Sequence, residues 1–92
     1  MAKAVVTIKV MPDKVEADFD QLTEQCLKKV SEFAGEGQTK TEVEPIAFGL
    51  KALKIIFVME EELGSPEKLE KDIQAMDGVM SCETIDVRRA IG

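Results

Sequence analysis

The chain is expected to fold as an α+β sandwich, a four-stranded antiparallel sheet with two helices on one of its faces. Three observations carry that expectation. Apolar residues repeat with a period of two in some segments and at spacings of three and four in others. Those segments run in the order strand, helix, strand, strand, helix, strand. Two of the four strands are apolar on both faces, as central strands are, and the other two are polar, as edge strands are.

Taken in order, Ala4 to Met11 reads as the first strand, with Ala4, Val6, Ile8 and Val10 on one face and Val5, Thr7, Lys9 and Met11 on the other. Pro12-Asp13 ends it. Asp18 is a good N-cap with Gln21 three positions on, and Phe19, Leu22, Cys26, Val30 and Phe33 follow at helical spacing, widened by Leu27. Gly35 and Gly37 close that helix. Residues 38–44 are polar and tolerant of β structure, which suits an edge strand, and Pro45 lacks the donor that an internal strand needs. Leu50 to Met59 is the most apolar strand. Leu53, Ile55, Phe57 and Met59 face one way, and Ala52, Lys54, Ile56 and Val58 the other.

Glu60-Glu61-Glu62 with Leu63-Gly64 reads as a solvated link. Ser65-Pro66 reads as an N-cap followed by proline at the first helical position. Leu69, Ile73 and Met76 form a short helical stripe, with Gly78 as a C-cap candidate. Val79 to Arg89 is a last strand whose alternation is imperfect, as a bulge would make it. This order is the split βαβ pattern of the ferredoxin-like sandwich, in which the first and third strands are central. A single domain over residues 1–92 is expected.

Composition narrows function mainly by exclusion. Eighteen acidic against 12 basic residues give a net charge of −6, which argues against a general nucleic-acid binder. RNA-binding domains of this topology also carry stacking aromatics on the first and third strands; here the first has none, and Phe57 is expected to face the helices. No histidine is present, so the commonest general base and nitrogen ligand are missing. Cys26 and Cys82 are expected to pack as reduced hydrophobes. Three adjacent glutamates do not converge on one ion, because neighbouring strand residues point to opposite faces. With no phosphate loop, paired CxxC or nucleophile elbow in the sequence, neither enzyme chemistry nor a cofactor or metal is expected. No apolar run reaches the ~20 residues of a membrane span, and a cytoplasmic protein is expected.

The stretch Pro45-Ile46-Ala47-Phe48-Gly49-Leu50-Lys51-Ala52-Leu53 stands apart. Phe48, one of four aromatic residues, should fall on or beside a turn next to a permissive glycine. There it is either an exposed partner anchor or a ring folded back over the end of the sheet. Lys51 and Lys54 interrupt the apolar pattern of the third strand, which suggests that one sheet face stays open. Arg88-Arg89 is the sharpest charged pair, on a strand expected at a sheet edge.

The same stretch resembles the elongation factor 1-beta family. The chain is similar to its archaeal members and to the C-terminal catalytic domain of eukaryotic ones, where a Pro-(Ile/Val)-Gly-(Phe/Tyr)-Gly-Ile-Lys-Lys-Leu run occupies this place. Val6-Thr7-Ile8-Lys9-Val10-Met11-Pro12 and Ile85-Asp86-Val87-Arg88-Arg89 extend the resemblance over nearly the whole chain. It implies a guanine-nucleotide exchange factor for the GTPase elongation factor 1-alpha, acting without covalent chemistry. It further implies that Phe48 packs on the GTPase, with Ile46, Gly49 and Lys51 shaping that contact. The family's lysine beside the C-terminus has no counterpart before Ile91-Gly92, and Arg88 or Arg89 is the candidate in its place. The free protein is expected to be a monomer. The alternative from topology alone is a small regulatory domain that binds a metabolite at a paired-sheet seam.

Overall fold

A computed structural model describes residues 3–14, 18–35 and 37–90. The elements are β1 (Lys3–Pro12), α1 (Phe19–Ala34), β2 (Thr39–Pro45), β3 (Lys51–Glu60), α2 (Glu67–Gln74) and β4 (Val79–Ala90). All neighbouring strands are antiparallel, in the order β2-β3-β1-β4. The two apolar strands are therefore central and the two polar ones lie at the edges, as expected. The domain is elongated, 42 × 21 × 18 Å.

The core lies between one sheet face and the helices. Val6, Ile8 and Val10 of β1 and Leu53, Ile55 and Phe57 of β3 are fully buried against Leu22, Cys26 and Val30 of α1 and Leu69 and Ile73 of α2. Burying side chains of this size stabilises by roughly 1.5–3 kcal/mol each, and among the described residues no polar or charged one is buried with them. The opposite sheet face carries Val5, Thr7, Ile56 and Val58 along its middle, half-buried by their neighbours.

Helix ends follow local chemistry. The Asp18 carboxylate accepts from the N–H of Gln21 at 3.1 Å, and Gly35, with φ +82°, closes α1 by donating to the Ser31 carbonyl at 2.9 Å. At α2 the helix starts one residue later than the sequence suggests. Pro66 occupies the cap position, while Ser65 Oγ still accepts from the N–H of Glu67 at 3.2 Å. Cys26 and Cys82 are buried free thiols, and burial pushes them up to about 11 and about 12 respectively.

β4 carries the expected bulge. Thr7 faces Asp86 and Ile8 faces Thr84, so Ile85 has no partner on β1. Before the bulge, α2 occupies the outer edge of β4 with side chains one turn apart. Gln74 Nε2 donates to the Cys82 carbonyl at 2.7 Å, and the Glu70 carboxylate accepts from the Thr84 N–H at 2.6 Å. Two helix side chains thus stand where an adjacent strand's backbone would be. Replacing Glu70 with alanine strips a partly buried N–H of its charged acceptor. The expected cost is about 1–3 kcal/mol, read as a lower denaturant midpoint with an unchanged slope.

Candidate functional site

The link between β2 and β3 is a tight reversal made by five residues. The Ile46 N–H donates to the Leu50 carbonyl and the Leu50 N–H to the Ala47 carbonyl, each at 2.8 Å. Its two central residues both have left-handed backbone, φ +55° at Phe48 and +79° at Gly49. That is the signature of the primed turn whose twist matches paired strands, a turn that favours Asn-Gly, Asp-Gly or Gly-Gly. Glycine suits the second position. Phenylalanine does not suit the first, where an L-residue's Cβ crowds the backbone at a cost of roughly 1–2 kcal/mol. Phe48 is the only non-glycine residue with positive φ among those described.

No packing among the described residues compensates that strain. Phe48 is 97% exposed, so its ring packs against no core residue, and it does not cap the sheet. Ile46 and Val43 are exposed large apolar side chains on the same hairpin. Val43 is a candidate missed from sequence, where the polar edge strand gave no sign that one of its apolar side chains would stay uncovered. Gly49 and Lys51 are also exposed, with Lys51 opening β3 opposite Pro45. Beside this end, on the open sheet face, Lys54 Nζ meets a Glu44 carboxylate oxygen at 2.7 Å. That hydrogen bond holds the Glu44 carboxyl below its usual range and raises Lys54.

Arg88 and Arg89 are not part of this cluster. Arg88 lies opposite Val5, which lies opposite Val58 on β3. At ~3.3 Å per residue, the run from Gly49 to Val58 puts the arginines about 30 Å from the turn, at the other end of the long axis. As neighbours on a strand they also lie on different sides of the sheet, and the bulge at Ile85 fixes which side each takes. Arg88 bonds Asp86 at 2.9 Å on the open face, while Arg89 bonds Glu61 at 2.8 Å toward the helices. Glu60 ends β3, and Glu61 and Glu62 belong to a single 3₁₀ turn, Glu61–Leu63. Among the described residues no group of three or more potential metal ligands is gathered, and no helix is long and apolar enough to cross a membrane.

A family model described as the EF-1 guanine nucleotide exchange domain matches residues 5–90. Elongation factor 1-beta of Methanothermobacter thermautotrophicus is 37% identical over 89 residues, covering 97% of this chain and 98% of that protein. Its counterpart in Staphylothermus marinus is 40% identical over 90 residues, covering 97% and 98%. Among solved structures, the de novo designed protein Foldit4 superposes with a TM-score of 0.65 at 17% identity, covering 98% of each chain, a likeness of fold alone. The chain belongs to the EF-1 guanine nucleotide exchange domain family. Its role is guanine-nucleotide exchange in translation elongation.

The strained turn yields a stability prediction. Phe48→Asn replaces a poorly suited residue with one that tolerates left-handed backbone. Stability should rise by about 1 kcal/mol, which for a domain of this size shifts the thermal midpoint upward by roughly 4–8 °C. Calorimetry of both proteins checks this; an unchanged or lower midpoint would show that the turn is not strained by its phenylalanine.

Proposed function

We propose that this domain accelerates GDP release from the GTPase elongation factor 1-alpha by docking the Phe48 turn on it, with Ile46, Gly49, Lys51 and Val43 forming the surround. Arg88 and Arg89 contact the same partner at a second place. The observation that carries the reading is an aromatic ring 97% exposed on a strained turn, a combination that costs stability and gives none back within the chain.

The mechanism needs no covalent chemistry. GDP is held by contacts to its phosphates and by Mg²⁺, which also orders the switch segments of a GTPase. A protein that binds the nucleotide-loosened state better than the GDP state lowers nucleotide affinity by the same factor. A thousandfold faster release requires about 4 kcal/mol off the dissociation barrier. One desolvated aromatic anchor together with a charged contact supplies a differential of that size.

The separation of about 30 Å supports a division of labour between the two ends. Phe48 provides affinity at one end. The guanidinium groups, each now held by a single carboxylate, exposed at Asp86 and half-buried at Glu61, exchange that bond for the partner's phosphate side.

Two experiments on fluorescent-GDP release from the cognate GTPase test this. Phe48→Ala should retain the fold while raising the concentration of domain needed for half-maximal stimulation at least tenfold; wild-type stimulation would remove the anchor. Arg88→Ala with Arg89→Ala should lower the maximal rate more than the apparent affinity. Should the maximal rate stay at its wild-type value, the phosphate-side role is lost.

A further inference from the structure

The Phe48 turn stands on a neck that only two strands support. β1 pairs with β3 from Lys3–Glu60 to Val10–Leu53 and no further; its last two residues, Met11 and Pro12, pair with β4 alone. Beyond Leu53, β3 is held only by β2, itself an edge strand, through the pairs Ala52–Glu44 and Lys51–Pro45. A two-stranded ribbon is marginally stable by itself. From Leu53 to Gly49 the neck reaches about 13 Å, so a bend of about 10° shifts its tip by about 2 Å.

One side-chain bond crosses from the supported sheet to the neck. Lys54 is the last open-face residue of β3 that β1 still flanks, with Lys9 opposite it on one side and Glu42 on the other. Its Nζ nevertheless meets Glu44, two residues nearer the turn, at 2.7 Å. Like charges set opposite each other repel, and the Glu44 carboxylate is drawn by both lysines. Ala52, the cross-strand partner of Glu44, is fully buried although β1 does not pair with it, as aliphatic stems laid across it would leave it.

We propose that the Glu44–Lys54 pair is a strut that positions Phe48: it fixes the bend of the neck and thereby the direction in which the ring meets the GTPase. This rests on the docking of Phe48 proposed for the domain, and neither strut residue itself touches the partner. An exposed pair adds little to global stability. Its consequence lies in aim, since an anchor displaced by its own support no longer meets its pocket.

Glu44→Gln and Lys54→Met, which keeps the aliphatic stem, test the strut in the free domain and in fluorescent-GDP release. In the free domain each should speed amide hydrogen exchange at Ile46 and Leu50, the donors that close the turn, roughly three- to fivefold. The amides of Val6 and Ile8 in the core should be unaffected. In the release assay each should raise the half-maximal concentration by a similar factor, roughly three- to fivefold, with the maximal rate unchanged. The exchanged pair, Glu44→Lys with Lys54→Glu, should restore both readings. Added to Phe48→Ala, Glu44→Gln should cost nothing more. Unaltered amide exchange in the single variants, or no recovery in the exchanged pair, would overturn the strut. A full additional cost in the Phe48→Ala background would make the pair a direct contact and overturn its positioning role. Phe48→Ala alone reports on docking, whereas the amide measurement involves no partner, so the two failures are read separately.

Discussion

The pairing of β1 with β3 is the constraint on which the rest of the molecule depends. Val6 opposite Phe57 and Ile8 opposite Ile55 bury one sheet face completely. A one-residue slip would turn this apolar row toward solvent, so the register has a single solution. Once it is set, the remaining geometry follows. β2 hangs on the free edge of β3 and its turn projects from one end of the sheet. β4 takes the free edge of β1 and carries its arginines to the other end. The two charged or apolar features that a partner could grip are therefore held apart by a rigid element.

Stability and the candidate site pull in opposite directions at Phe48. The hairpin closes through two short backbone hydrogen bonds that demand left-handed backbone at its tip, and Asn-Gly would meet that demand with no steric conflict. The chain instead holds an aromatic ring there, where exposure denies it any hydrophobic gain. Such an arrangement costs a fraction of the roughly 5–15 kcal/mol that keeps a domain folded, a loss the well-filled core can absorb. Local rules broken without internal compensation concentrate where a protein meets something else.

Most of the fold was legible because periodicity and burial coincide. Val6, Ile8 and Val10 alternate strictly and are buried; Leu22, Cys26 and Val30 recur every four residues and face them. Polar composition marked β2 as an edge, and broken alternation near Ile85 marked the bulge. What sequence left open depended on tertiary geometry. Whether Phe48 pointed out or folded back was undecided, because Phe-Gly gives no reason to expect left-handed backbone at the phenylalanine. The capping of Cys82 and Thr84 by Gln74 and Glu70 joins residues 8 and 14 positions apart through packing of α2, and no local pattern encodes it. Which of Arg88 and Arg89 faces the helices was hidden in a phase shift of one residue.

Rigidity at the tip also bears on how so small a domain can act on a GTPase. Coupling between partner and nucleotide is a difference in affinity for two states, and any disorder that the domain must lose on docking subtracts from it. At this turn the backbone has already surrendered its freedom during folding, in a conformation that Phe48 would not adopt in an unconstrained chain. Docking through this turn, as proposed, would then restrain only the side-chain torsions of the ring, a cost of about 0.5–1.5 kcal/mol. Strain taken up once in the free protein leaves more of the contact energy available for discriminating between the two states of the partner. A flexible loop bearing the same ring would lose that advantage, because ordering it would consume much of what the aromatic contact gains.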